Sequence, residues 1–221
     1  MINYLNELMK DINQLEDKSA VSIEKLANKY YKFLPKFNEA FLAICNQLII
    51  SEKLYLFSIA TLWLKKRKSI LDIKHLSLYE NWIEKYVDNW GKCDQLCYRL
   101  INPLIEKYDE LYTYIVKWSN SSKPTTRRVS LVSFIHSSKG HSVLYDFNKI
   151  LPIIDKLKDD SDIHVQKAVG WVLKCSYYNY PSEVVIYLRK NVKILNRLIF
   201  RYSLENMPID LKQELMSLDY K

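Results

Sequence analysis

Turn-forming residues are scarce in this chain. Its 221 residues contain three glycines and six prolines, and no glycine precedes Gly91. A sandwich or barrel of short strands needs turn residues at regular intervals. A chain this poor in them is expected to be all-α. Apolar residues recur at three- and four-residue steps throughout, the period of an amphipathic helix, and no strand pattern emerges.

Ile2, Leu5, Leu8, Met9, Ile12 and Leu15 form the first apolar stripe. A second helix is expected over Ser22–Leu34, with Ser22 as N-cap and Pro35 ending it. Phe37, Phe41, Ile44 and Leu48 mark a third, and Ser51-Glu52 opens a fourth over Leu54–Lys65. The run Lys65-Lys66-Arg67-Lys68 reads as a helix C-terminus, where cations oppose the negative end of the helix dipole. Further helices are expected at Leu76–Val87, Trp90–Tyr108 (divided or kinked at Pro103), Asp109–Trp118 and from Pro124 to about His136. The remainder predicts Ser142–Lys158, Asp162–Tyr178, Ser182–Asn191, Asn196–Asn206 and Asp210–Leu218.

These elements group into antiparallel pairs near 22–50, 52–88, 90–118, 124–158, 162–191 and 196–218. Helix pairs of roughly 30–45 residues joined by short loops are the signature of an α-solenoid. The expectation is one HEAT-like repeat domain over residues 1–221, with about six pairs and a basic concave face.

The formal net charge is +8. Residues 1–120 carry 17 Lys and Arg against 15 Asp and Glu, and residues 121–221 carry 16 against 10. A basic half points to a polyanion, nucleic acid before anionic membrane, with a solvated basic face as the plain alternative. Cys45, Cys93, Cys97 and Cys175 lack metal-ligand spacing, and the Cys93/Cys97 pair, one helical turn apart, is core-like. No metal or cofactor is expected. The sequence shows neither a signal peptide nor a run of transmembrane length, so a cytoplasmic monomer is expected.

Three constellations could carry chemistry. Trp90 and Asp94 are four residues apart and so share a helix face; the plain alternative is a core tryptophan beside a salt-bridged aspartate. Arg127 and Arg128 fall in the first turn of a helix after a polar loop, where backbone N–H groups and guanidinium forks favour phosphate; alternatively they are two surface cations. Trp171 and Lys174 place an indole and a cation on one face, suited to a sugar and a phosphate; alternatively Trp171 is core. Gly170, beside it in mid-helix, costs about 1 kcal/mol relative to alanine, so it signals close packing or backbone access.

In order and spacing, Trp90-x3-Asp94, Trp118-x9-Arg128 and Gln166-Lys167-Ala168-Val169-Gly170-Trp171-Val172-Leu173-Lys174 resemble the AlkD family of DNA alkylation repair proteins. The resemblance covers about residues 80–205. These are HEAT-like-repeat DNA glycosylases that remove N3- and N7-alkylated purines without flipping the base into a pocket. The resemblance implies that Asp94 is the catalytic carboxylate and that Arg128 lies at the scissile nucleotide. It implies that Trp90 and Trp171 cradle the deoxyribose and phosphate, with double-stranded DNA as partner. Arg127 and Lys174 are expected to add backbone contacts. The chemistry suits the residue types: a cationic purine is a good leaving group, and a carboxylate stabilises the oxocarbenium-like sugar it leaves.

The sequence departs from the family pattern at the N-terminus, where the glycine-proline-arginine motif is missing and Tyr31-Lys32-Phe33-Leu34-Pro35-Lys36 supplies only a proline. Thr125 stands where an aromatic is usual and His136 where a basic residue is usual. In this it is similar to the sub-branch that lacks the N-terminal DNA-gripping element. The rival functions are a non-catalytic relative that binds DNA or another polyanion, and a protein-interaction solenoid.

Overall fold

The computed structural model describes residues 4–218. Ile2, the first residue of the expected apolar stripe, lies outside them. The chain is built of helices joined by short loops. Extended pairing among the described residues is limited to one antiparallel bridge, Ile135 to Val143. By internal contacts the chain divides into two compact units, residues 1–107 and 108–221.

The first unit contains α1 (Tyr4–Gln14), α2 (Ala20–Tyr31), α3 (Asn38–Ile50), α4 (Leu54–Lys66), α5 (Leu76–Tyr86), α6 (Trp90–Leu96), a π-helical segment Cys97–Ile101 and α7 (Asn102–Ile105). Helix α4 is central and packs against α1, α2, α3 and α6. Its residues Leu56, Phe57, Ile59, Ala60, Thr61, Leu62, Trp63 and Leu64 are all buried. A helix apolar all round belongs in a core.

The second unit contains α8 (Tyr112–Ser119), α9 (Pro124–Val132), α10 (Phe147–Leu157), α11 (Ile163–Asn179), α12 (Pro181–Asn191), α13 (Arg197–Ser203) and α14 (Ile209–Ser217). Here α11 is the hub, packed against α9, α10, α12 and α13.

A repeat is visible in the hydrogen bonds. In the first unit the Trp63 indole donates to the Ala27 carbonyl, the Trp82 indole to Asn46 and Lys107 to the Leu71 carbonyl, each across 36 residues. In the second unit Arg128 reaches the His164 carbonyl and the Val143 N–H reaches Asn179, again across 36. Successive helix pairs therefore meet repeatedly at this offset, although the residue types differ and other bonds span 29 or 41 residues. A recurring offset of this size is what a solenoid predicts, since each pair contacts its neighbours in sequence.

Several local expectations are corrected. The N-cap of α2 is Ser19, whose hydroxyl accepts from the Ser22 N–H at 3.3 Å, so Ser22 is the capped residue. Phe37 precedes α3 and is exposed, leaving Phe41, Leu42, Cys45, Leu48 and Ile49 as the buried stripe. Helix α9 stops at Val132 and α10 starts at Phe147. The polar segment His136–Ser142, with Gly140 in it, forms the intervening turn instead of extending either helix. At Pro103 the helix widens rather than breaking: the Asn102 N–H reaches back five residues to the Cys97 carbonyl. Proline removes one ladder donor, and a π turn is a common way to absorb that loss.

The basic run behaves as a helix end. Lys65 and Lys66 occupy the last turn of α4. Arg67 donates to the Pro35 carbonyl at 2.7 Å and stacks 3.9 Å from the Phe41 ring centre.

Candidate nucleic-acid interface

In the first unit the interest centres on α6. Asn89 caps it, its amide oxygen accepting from the Lys92 N–H at 3.0 Å. The cap fixes where the helix begins, and Trp90 is its first residue. The indole is 54% exposed, unusual for so large an apolar side chain. Asp94, one turn on, is half-buried, while Cys93, Leu96 and Cys97 face the core. The helix therefore divides as the i, i+4 spacing requires: a cysteine–leucine face inward, and the indole and carboxylate on the side that meets water.

Between them Lys92 points the other way. It is 2% exposed, with its ammonium 2.7 Å from Asp88 and 3.4 Å from the Tyr86 carbonyl, over the Phe57 ring. A buried ammonium demands such partners. It ties the start of α6 to the end of α5. Burial works against the Asp88 carboxylate, but the hydrogen bond and charge of Lys92 outweigh it and hold the group below the usual carboxylate range. Asp88-x3-Lys92 has the i, i+4 spacing that signals such a pair in the sequence.

In the second unit the structure brings Arg128 and Trp171 together. Arg128, on α9, is 6% exposed and donates to the His164 carbonyl at 2.6 Å. Its guanidinium carbon lies 5.8 Å from the Trp171 ring centre, within cation–π range. Trp171 is half-buried in the middle of α11. It hydrogen-bonds toward the Cys175 sulfur, one turn on; burial pushes that thiol up to about 11, against the lowering effects of Lys174 and Trp171. Gly170 beside it is buried, and a Cβ there would sit 2.7 Å from the Tyr202 Cβ and 3.0 Å from the Ile199 carbonyl oxygen. The glycine serves close approach of α13, the first of the two meanings its position allowed.

Arg127 and Lys174, expected to add DNA-backbone contacts, each bond an acidic side chain in this structure. Arg127 forks onto Asp160, with Nε 2.5 Å and one terminal nitrogen 2.9 Å from the carboxylate, while its other terminal nitrogen holds the Ser121 and Ser122 carbonyls. Its hydrogen bond to Asp160 raises the pKa of the arginine. Asp160 is held low, because that bond, the Asp162 N–H and the arginine charge overcome its burial. Lys174 bonds Glu205 at 2.8 Å and lies 4.8 Å from the Tyr202 ring centre. Both cations are spent clamping neighbouring elements of this unit. Their acidic partners, 33 and 31 residues downstream, are too distant in sequence for a local pattern to reveal.

All four cysteines are free and buried, as core residues should be. Among the described residues no three His, Cys, Asp or Glu side chains gather as a metal site, and no helix is long and apolar enough to cross a membrane.

Fold and residues together define a helical-repeat protein with aromatic and cationic side chains on its α6, α9 and α11 helices. The sequence profile of the DNA alkylation repair enzyme family matches residues 18–207. The chain belongs to that family. Among solved structures it is similar to AlkD2 from Streptococcus mutans, with a TM-score of 0.67 and 21% identity over 92% of this chain and 97% of that one. It is also similar to smu.31 from Streptococcus mutans UA159, at a TM-score of 0.52 and 19% identity, covering 92% of each chain. At these identities the likeness shows the fold, an AlkD-type HEAT-like solenoid. No curated protein matches the chain.

Proposed function

We propose that this DNA alkylation repair family member binds double-stranded DNA through its backbone and excises N3- or N7-alkylated purines, with Asp94 as the catalytic carboxylate. The observation that carries the reading is the makeup of α6: an indole more than half exposed and a carboxylate one turn away on a capped, anchored helix. An indole face suits deoxyribose, and a fixed carboxylate suits the positive charge that develops on the sugar as the base departs. Trp171 and Arg128 would act on the strand as a pair, the guanidinium presenting donors to a phosphate and the indole packing on sugar. Electrostatic stabilisation of this kind is commonly the largest single contribution to such a reaction.

The test is release of 7-methylguanine and 3-methyladenine from methylated duplex DNA. Wild-type protein is expected to release both, and Asp94→Asn is expected to lower the rate by at least about a hundredfold with DNA affinity little changed. Absence of release by the wild type would end the excision reading.

A second reading is a DNA-binding relative that does not excise. Arg127 and Lys174 favour it, since cations closed by Asp160 and Glu205 add little to backbone affinity. It predicts salt-sensitive duplex binding with no base released in the same assay.

A further inference from the structure

The first unit contains a cavity of about 310 Å³ that this reading does not use. It lies where the start of α2 and the N-terminal half of α4 meet the end of α6 and the π segment. Ile23, Leu62 and Tyr55 are among its apolar walls, and Lys18, Glu24 and Arg99 are its charged groups. Arg99 sits on the π segment, half-buried. All its hydrogen bonds run through a single terminal nitrogen, to the Thr61 hydroxyl at 2.8 Å, the Gln95 amide oxygen at 2.9 Å and the Ser58 carbonyl at 3.3 Å. The Nε–H and the second terminal nitrogen make no hydrogen bond among the described residues and are not sealed from solvent, so they can meet a ligand. A guanidinium is always charged, and a half-buried one gains from an anionic acceptor. Burial lowers the Arg99 pKa, and the charge of Glu24 only partly offsets this.

Among the described residues Lys18 and Glu24 form no ion pair or hydrogen bond, although the Glu24 charge is felt by Arg99. The cavity thus holds two cations and one carboxylate, all with unused bonding capacity. A net single positive charge suits a monoanion, whereas a dianion would be opposed by Glu24. The walls call for an organic body beside the charge, and Tyr55 offers a ring on which a sugar or base can pack. A phosphodiester with its attached nucleoside has all of these properties.

We propose that this cavity is a phosphodiester pocket for a nucleic-acid strand, in which Arg99 and Lys18 grip one phosphate and Glu24 limits the charge accepted. The proposal rests on the reading that the protein binds DNA, but it uses none of the residues assigned to excision.

The experiment measures binding of the full chain to an unmodified duplex over a range of salt concentrations, for wild type, Arg99→Gln, Lys18→Gln and Glu24→Gln. Each lost phosphate contact lowers the slope of log K against log salt by about 0.9. Because both cations grip one phosphate, Arg99→Gln and Lys18→Gln are each expected to show part of that decrease and their double variant all of it, and Glu24→Gln is expected to bind severalfold more tightly. Among the described residues Lys18 and Glu24 make no internal hydrogen bond or ion pair, so their variants report on the pocket even if Arg99→Gln weakens the fold. Tighter binding by Glu24→Gln is a result no folding defect can imitate. Steep wild-type binding with unchanged slopes in both cation variants and no gain in Glu24→Gln would overturn the pocket and leave the DNA-binding reading standing. A wild type that fails to bind at all would overturn both. Inorganic phosphate is the control ligand: if it is held through Arg99 while the variants leave duplex binding untouched, the cavity takes small anions and the proposal is wrong.

Discussion

Trp90 and Trp171 each have a glycine neighbour in the chain, and the two glycines do opposite things. Gly91 follows Trp90 in the first turn of α6, where a Cβ would meet only the Asn89 side-chain oxygen, at 3.3 Å. Gly170 precedes Trp171 in mid-helix, where a Cβ would press into a neighbouring helix. One indole is placed by a helix cap and stands in water. The other is placed by helix-on-helix packing and is braced by a nearly buried arginine. The same residue pair therefore marks two kinds of construction. A side chain held by a cap can be repositioned cheaply, whereas one held by packing can move only if the core moves.

The sharpest way to break this contrast is Gly170→Ala. The added methyl requires α13 to retreat from α11, a form of overpacking that costs about 1–3 kcal/mol. Chemical denaturation should show that loss, and an unchanged midpoint would mean that the glycine does not set the α11–α13 distance. An intermediate effect is expected from Asp160→Asn, which opens the Arg127 clamp between the loop before α9 and the loop before α11. The Asp160 carboxylate is held below its ordinary value in the folded state. Its contribution is therefore present above the unfolded carboxylate pKa of about 3.9 and is lost as pH falls through the folded value. The variant should be less stable than wild type near neutrality and converge with it in acid. Parallel pH profiles of the unfolding midpoint would contradict the assignment. The smallest effect is expected from Gly91→Ala. Alanine gains about 1 kcal/mol of helix propensity, offset by pressure on the Asn89 cap, so a net change under about 1 kcal/mol is expected. A loss as large as that of Gly170→Ala would erase the distinction between the two glycines.

Much of the fold was legible in residue order. Scarce glycine and unbroken helical periodicity exclude strands, and the expected span Asp162–Tyr178 nearly coincides with α11, which Asp162 caps. Arg128 and Trp171 were singled out separately by the resemblance, and their contact came only from the packing of α9 on α11. What could not be read were the fates of Arg127 and Lys174. A cation in a helix's first turn looks the same in sequence whether it awaits a phosphate or grips an aspartate 33 residues later. Lys92 was missed for the opposite reason: a lysine is assumed to face solvent, and only the packing of Phe57 and the end of α5 around it makes it a core residue.

Local chemistry alone thus determined that the chain is helical, where most helices lie and which helices carry the two exposed or half-exposed tryptophans. Those features depend on residues within a few positions of one another, joined by the 3.6-residue period and by caps. The tertiary structure decided which charges are available and which are consumed. An ion pair depends on two groups meeting across helix pairs, here 33 and 31 residues apart, and that meeting is set by how successive pairs pack rather than by anything written beside either residue.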